Sequence, residues 1–299
     1  TDASVTGLTN DQYTITAADT EAGTALEFRA VYEVTGTVVA NVANRGTVKV
    51  GTGNATIATV TYTKDLTMAI SATANNGYTF EGWYTNSALT SKYNGSATLY
   101  TFGATGSFTL YANFTVNTYT ITYVTNENAG TASTATIKGT PDLDFTVEEE
   151  VTLVTAEGIE RAGYTFLGWY ADAACSGSEA ITKVAVGTYA NKTFYAKWSA
   201  AIRYNVDYVV NGGTFGSNHD SDTYSVEEAV TLATDITREG YTFAGWHAAA
   251  DLKDSVVTTI AKGTTGNKTY YADWTANGYT LTLDPNTAAG STDVTLNPT

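Results

Sequence analysis

Apolar and polar residues alternate in short stretches along this chain. Three stretches, 119–123 (YTITY), 204–208 (YNVDY) and 279–283 (YTLTL), carry aromatic or aliphatic residues at the first, third and fifth positions. Successive side chains of a β-strand point to opposite faces, so the alternation places these apolar residues on one face. Gly, Asn, Asp and Thr separate the stretches and are common in turns. The pattern predicts a mostly β protein made of short, half-buried strands.

A longer motif recurs three times. GYTFEGWY at 77–84 returns as GYTFLGWY at 163–170 and as GYTFAGWH at 240–247. Each copy precedes, at a nearly constant distance, a second motif that closes on an aromatic residue: FTLYANF ending at Phe114, KTFYAKW ending at Trp198, and KTYYADW ending at Trp274. Self-similarity of this kind indicates one structural unit repeated in tandem.

The motifs place the unit boundaries at 33–115, 116–200 and 201–276. Residues 277–299 begin a fourth, partial unit with YTLTL, and residues 1–32 are expected to supply N-terminal strands or the end of a preceding unit. Tyr279, Leu281 and Leu283 are therefore candidate strand donors, which would complete the unit formed by residues 1–32 of another molecule.

Aromatic residues of the repeated motifs are the predicted core. Tyr and Phe of GYTFxGW lie on one strand face, and the Gly before Trp allows a bulge that redirects the indole. Three such rings contribute roughly 10–15 kcal/mol of gross burial to a unit, and chain entropy offsets most of it. The predicted core residues are Tyr78, Phe80, Trp83, Tyr164, Phe166, Trp169, Tyr241, Phe243, Trp246, Trp198 and Trp274.

Composition narrows the classes of partner. The chain has 15 Lys and Arg against 30 Asp and Glu, a net charge of −15, which disfavours nucleic acid and anionic membranes as partners. One Cys permits no internal disulfide, and two His leave little scope for imidazole chemistry. No apolar run is long enough to span a membrane, so any export signal or anchor is expected outside these residues.

The few chemically distinctive side chains are interpreted as structural. His247 takes the position of Tyr84 and Tyr170, which requires only an amphipathic ring, and Cys175 is expected to be a small buried residue. His219 lies in a polar loop with Asn218, Asp220 and Asp222, where a weakly held calcium ion would be sought first.

Two runs of carboxylates recur at the same place in successive units: Glu148 to Glu150, then Glu227 and Glu228. We interpret them as solvated turns, because an active site is rarely duplicated with every repeat. No catalytic, cofactor-binding or metal-binding residue is predicted.

The paired motifs GYTFLGWY and NKTFYAKW, like TREGYTFAGW and GNKTYYADW, resemble the Listeria-Bacteroides repeat, or internalin-type B-repeat, of bacterial surface proteins. Residues 116–276 match it well. The first unit resembles a divergent copy, with Asn75 where the later units have Arg161 and Arg238. The resemblance implies tandem β-grasp-like domains in an elongated rod, export to the bacterial cell surface or secretion, and neither catalytic residues nor cofactors.

Three functions are open at this point. The first is a non-enzymatic extracellular stalk whose partners are its own neighbouring repeats. The second is a filament subunit that joins copies of itself by strand complementation between residues 277–299 and 1–32. The third is an adhesin that binds host protein or glycan through its loops.

Overall fold

The computed structural model describes residues 33–61, 66–102, 106–125, 133–219, 222–283 and 292–296, and the predicted partial unit 1–32 lies outside them. Contacts divide the chain into two compact units, Thr1–Val116 and Asn117–Thr299. The first holds one repeat, and the second holds two repeats followed by residues 277–299. The described residues form strands joined by turns, with one 3₁₀ turn at Ala156–Gly158, so the mostly β prediction is confirmed.

The first repeat contains two sheets, a mixed sheet of four strands and an antiparallel sheet of three. Its strands are β1 (Glu33–Ala40), β2 (Gly46–Val50), β3 (Ile57–Thr61), β4 (Thr67–Ala74), β5 (Tyr78–Tyr84), β6 (Leu99–Thr101) and β7 (Phe108–Val116). Four of them form a sheet in the order β3-β1-β7-β5, in which β1 and β7 are parallel and the outer strands are antiparallel to their neighbours. The order β2-β4-β6 forms the second sheet.

The second repeat uses the same central arrangement. Its strands are β8 (Tyr119–Val124), β9 (Ala135–Ile137), β10 (Asp144–Phe145), β11 (Val151–Thr152), β12 (Ile159–Arg161), β13 (Phe166–Tyr170), β14 (Lys183–Val184) and β15 (Lys192–Trp198). The main sheet has the order β10-β8-β15-β13, again with a parallel central pair. Two short antiparallel pairs, β9 with β12 and β11 with β14, complete the repeat.

The third repeat follows the second closely. Its strands are β16 (Arg203–Val209), β17 (Thr214–Phe215), β18 (Thr223–Ser225), β19 (Val230–Thr231), β20 (Ile236–Thr237), β21 (Tyr241–His247), β22 (Thr259–Ile260) and β23 (Lys268–Ala276). The main sheet has the order β18-β16-β23-β21, and β17 pairs with β20 as β19 does with β22. Tandem β repeats are thus established, whereas their β-grasp-like character stays a prediction.

The described part of residues 277–299 contains an antiparallel strand pair, β24 (Tyr279–Leu283) with β25 (Thr292–Leu296). Tyr279 pairs with Leu296, in the way that Tyr204 pairs with Tyr224 and Tyr119 with Phe145. The pair β24–β25 therefore has the register of β8 with β10 and of β16 with β18. Its candidate donor strand pairs with the tail itself, the side chains of Leu281 and Leu283 lie outside the described part, and strand donation stays a prediction.

A glycine bulge recurs before each motif tryptophan. Gly82, Gly168 and Gly245 have φ angles of 133°, 128° and 139°, which L side chains rarely adopt. At each of them the pairing register with the closing strand shifts. This confirms the predicted bulge and explains how the indole is turned into the core.

The three repeats have equivalent interiors. Trp83, Trp169 and Trp246 are 2%, 1% and 1% exposed, and the preceding Phe of each motif meets the indole edge-on at 5.4, 5.2 and 5.2 Å between ring centroids. Each indole N–H donates to a main-chain carbonyl, that of Ala97, Val154 or Ala233, at 2.9, 2.7 and 2.7 Å. The buried polar atom of each ring is thereby satisfied.

The closing aromatic residue packs on the same Phe in every repeat. Phe80 lies 5.6 Å from Phe114, and the corresponding distance is 5.5 Å both for Phe166 with Trp198 and for Phe243 with Trp274. The motif tyrosines differ from the prediction: Tyr78, Tyr164 and Tyr241 are half-buried and lie outside the three core clusters.

Candidate functional site

The second and third repeats meet at a close contact within the second unit. Gly163 has a φ of 76°, and a Cβ atom placed on it would lie 2.4 Å from Cγ1 of Val226. Val226 is fully buried. Glycine is therefore needed at this position for two reasons, the backbone conformation and the close approach of a neighbouring side chain.

A charged hydrogen bond flanks this apolar contact. The Tyr164 hydroxyl donates to Oε1 of Glu227 at 2.6 Å, and the Arg161 guanidinium lies 3.8 Å from the centre of the Tyr164 ring. Burial first, and then the hydrogen bond to Glu227, raise the pKa of the Tyr164 phenol. A hydroxyl bound to a carboxylate makes a short, strong hydrogen bond, and a cation stacks favourably on an aromatic ring.

We call Arg161, Gly163 and Tyr164 the docking face of the second repeat, and Val226 with Glu227 the Val-Glu turn of the third. Main-chain bonding shapes this turn, since Gly263 N donates to Val226 O at 2.8 Å. Lys262 lies 3.5 Å from Oε2 of Glu227.

The same turn exists in the second repeat, where Gly187 N donates to Val147 O at 2.8 Å. The interpretation of the carboxylate runs as solvated turns is wrong for Glu227, which bonds to the preceding repeat. Glu149 and Glu228 accept from the main-chain N–H groups of Thr146 and Ser225, as turn residues do.

A second polar cluster lies at the β17–β20 strand pair of the third repeat. His219 Nδ1 is 2.8 Å from Oδ2 of Asp222, and its Nε2 is 2.8 Å from Oδ1 of Asp235. Ser217 Oγ is 3.0 Å from Nε2 and also donates to Asp235. The cluster joins the loop after β17 to the residue before β20.

The order Ser217, His219, Asp222 is the order of groups in a serine hydrolase triad, yet the hydrogen bonding differs. Both imidazole nitrogens face a carboxylate oxygen, an arrangement that favours the ring protonated on both nitrogens. A ring protonated on both nitrogens has no lone pair with which to accept the Ser217 proton, and that hydroxyl donates to Asp235 instead. The geometry is that of an ionic clamp.

The pKa shifts agree with an ionic clamp. Partial burial lowers the pKa of His219, but the hydrogen bonds and charges of Asp222 and Asp235 outweigh it and raise the pKa above its ordinary value. The hydrogen bond from Ser217 first, and then that from His219, hold the pKa of Asp235 below its ordinary value. Opposite shifts of this kind stabilise the charged form of both partners.

Of the two aspartates that are calcium candidates, one lies within the described residues and one outside them. Asp222 bonds to His219, and Asp220 lies outside the described residues. Within the described ranges, no group of three or more His, Cys, Asp or Glu residues is arranged to hold a metal ion.

The other two singled-out residues occupy structural positions. His247 is 5% exposed, pairs with Tyr271 in the strand position that Tyr84 and Tyr170 occupy, and bonds through Nδ1 to Asp254 at 3.0 Å. Cys175 is 6% exposed, in agreement with its interpretation as a small buried residue.

Sequence reasoning missed the joint between repeats and the role of Asp235. The signal for the joint was present, because the Gly-Tyr pair of one unit and the Val-Glu pair of the next recur together. No comparable signal marks Asp235, which reaches His219 only because β17 and β20 pair.

Comparison with known proteins identifies the family of the repeat. The family model of the Listeria-Bacteroides repeat domain matches residues 42–113, 119–197 and 204–273, more than half of the chain. Each matched segment falls within one of the predicted units 33–115, 116–200 and 201–276.

Two relatives are proteins of Evansella cellulosilytica. One, provisionally named a membrane protein, is 27% identical over 218 residues, which are 70% of this chain and 28% of that protein. The other, provisionally named a Gly-rich membrane protein, is 28% identical over 216 residues, which are 70% of this chain and 22% of that protein. The chain thus spans about a quarter of the length of these relatives. Among the described residues, no helix has the length and apolarity to cross a bilayer.

Proposed function

Because the chain belongs to the Listeria-Bacteroides repeat family, we propose that it is a tandem-repeat segment of a bacterial surface protein and acts as a non-catalytic extracellular stalk. Support comes from the relatives, which are named as membrane proteins, and from the repeat family, which is typical of surface proteins. In such arrays, length and neighbour contacts supply the function.

One observation carries this proposal: the residues that recur serve packing and joining. Trp83, Trp169 and Trp246 occupy equivalent cores, and the Val-Glu turn recurs with the same main-chain bond. The His219 cluster belongs to one repeat, and its imidazole lies between two carboxylates. These features favour a mechanical role over a catalytic one.

Surface labelling tests the location. Antibodies raised against this chain should label intact cells of the source bacterium as strongly as permeabilised cells. Labelling that requires permeabilisation would place the chain inside the cell and contradict the proposal.

A deletion tests the stalk. Removing residues 201–276 joins Ala200 to Asn277, and the spacing from Trp198 to Tyr279 then equals the original spacing from Trp274 to Tyr279. In a chain anchored at its C-terminal end to a bacterial surface, this deletion should reduce antibody access to a tag ahead of Thr1. Unchanged access would argue against a spacer. Specific, saturable binding of the full chain to a host protein or glycan would instead favour an adhesin.

A second candidate function is a filament subunit. β8 and β16 each pair with one antiparallel and one parallel strand, whereas β24 pairs, among the described residues, with β25 alone. A strand from another copy would satisfy the remaining edge. Light scattering of the chain with and without residues 277–299 tests this, since a filament should disappear on deletion. A chain that is monomeric at high concentration contradicts it.

A further inference from the structure

The third repeat carries a second docking face made of Arg238, Gly240 and Tyr241. The Arg238 guanidinium lies 3.8 Å from the Tyr241 ring centre, the distance found for Arg161 and Tyr164. Gly240 has a φ of 78°, and its carbonyl accepts from Asn277 N at 2.9 Å. In the second repeat the Gly163 carbonyl likewise accepts from Ile202 N at 2.8 Å.

The two docking faces differ in what lies over the glycine. Val226 occupies the space above Gly163, whereas among the described residues the nearest heavy atom to a Cβ placed on Gly240 is Oη of Tyr279, at 4.0 Å. Gly163 is buried and Gly240 is half-buried. Arg161 is 6% exposed, and Arg238 is half-buried.

The chemistry of the open face defines what fits it. The surface over Gly240 has room for a small apolar side chain, the Tyr241 hydroxyl can donate to an anion, and Arg238 contributes positive charge. The matching partner presents a small apolar residue followed directly by a carboxylate, which is the sequence of the Val-Glu turn.

The strand pair beside this face has the register of the pair that precedes such a turn, although this chain has Pro298 and Thr299 where the third repeat has Val226 and Glu227. β24 and β25 pair in the register of β16 and β18, and in the third repeat the Val-Glu turn follows directly after β18 (Thr223–Ser225). Tyr279 of that strand pair already approaches Gly240. A repeat that begins as this strand pair does would bring its turn to the third docking face.

We propose that Arg238, Gly240 and Tyr241 form a docking surface for the Val-Glu turn of a further repeat of this family. The inference rests on the tandem-array role and specifies how the array is extended. The contact is directional, because the second and third repeats each have the docking face at the start of the GYTFxGW motif and the Val-Glu turn after the strand that pairs with their first strand.

The test extends the chain by one repeat. A second copy of residues 201–276, inserted between Ala276 and Asn277, keeps the spacing between closing Trp and first-strand Tyr that occurs from Trp198 to Tyr204. Two proteins are compared, the original chain and the chain extended by one repeat. In each of them Tyr241→Phe is introduced into the original third repeat, and Tyr164→Phe is the matched control. Both substitutions retain the ring and its Arg stacking. Hydrogen exchange of peptides that cover residues 159–170 and residues 236–247 of the original third repeat reports protection. The inserted copy carries Ala244→Leu, the residue found at this position in GYTFLGWY, so that its peptide differs in mass.

We expect Tyr164→Phe to lower protection of its peptide about fivefold in both chains, the effect of losing one hydrogen bond. Tyr241→Phe should have no effect in the original chain and the same fivefold effect in the extended chain. A neutral Tyr241→Phe in the extended chain overturns the proposal, as does a neutral Tyr164→Phe. An equal effect of Tyr241→Phe in both chains also overturns it, because the face would then be covered without a further repeat. None of these outcomes alters surface labelling, on which the stalk proposal depends.

Discussion

The second and third repeats have equivalent cores and differ at their ends. The docking face of the second repeat is covered by Val226 and Glu227, whereas the same three residue types in the third repeat leave Gly240 half-buried. The core of a repeat is thus set within the repeat, while burial of its docking face depends on a neighbour. This is the division of energy expected in a linear array.

A second difference lies in the short strand pair next to each docking face, which is β9–β12 in the second repeat and β17–β20 in the third. In the second repeat, Lys138 and Glu160 form an exposed ion pair at 2.6 Å across β9 and β12. The corresponding strand pair of the third repeat is held by the His219 cluster. The same backbone pairing is therefore supported by an ammonium–carboxylate pair in one repeat and by an imidazole between two carboxylates in the other.

Removal of a core indole should have the largest effect and should be equal in the two repeats. Trp169→Ala and Trp246→Ala each leave a cavity and an unsatisfied carbonyl, and should destabilise their own repeat by about 3–5 kcal/mol. Hydrogen exchange resolved by repeat is the measurement. Clearly unequal costs would show that the equivalence of the two cores is superficial.

Alanine at the two docking-face glycines should separate the repeats. Both substitutions force a Cβ onto a positive φ, at a cost of about 1–2 kcal/mol. Gly163→Ala also collides with Val226 and should cost about 1–3 kcal/mol more, whereas Gly240→Ala should not. Denaturant unfolding monitored by repeat-resolved exchange gives both values. Equal values would mean that Val226 moves away without cost.

Neutralising Glu227 should weaken the joint and leave the cores intact. Glu227→Gln keeps the size of the side chain and removes the charge that accepts from Tyr164, so the joint should lose about 1 kcal/mol. The exposed Glu239→Gln is the matched control. Glu227→Gln and Tyr164→Phe together should cost less than the sum of the two. Additive costs would show that the two groups do not interact.

The smallest effect, below about 1 kcal/mol, should come from His219→Asn and should depend on pH. The pKa of His219 is raised above 6.5, so its stabilisation is complete below that pH and is lost as pH rises through the raised value. The pKa of Asp235 is lowered below 3.8, so its contribution is present above that pH and is lost on acidification through the lowered value.

The difference between wild type and His219→Asn should therefore be greatest between about pH 4 and pH 6.5. Exchange of the β17–β20 strand pair over that pH series measures it. The β9–β12 strand pair is the internal control, because its exposed Lys138–Glu160 ion pair contains no imidazole. A pH-independent difference would mean that His219 acts through packing alone.

Much of the fold was predictable because its signals are local. The alternation in YTITY and YNVDY identified two strands and their faces, and the glycine before each motif Trp identified the bulge. The motif tyrosines were misassigned to the core. They have the strand periodicity of core residues, but Tyr164 lies where the second repeat contacts the third, so its hydroxyl bonds to Glu227 of the neighbouring repeat.

The sequence by itself determined the number of repeats, their strands and the tryptophan at the centre of each, because periodicity and repetition are properties of the chain alone. Only the tertiary structure decided that Glu227 binds Tyr164 and that Asp235 bonds to His219. Those outcomes depend on distances between residues far apart in sequence, and pairing of strands and repeats is what sets these distances.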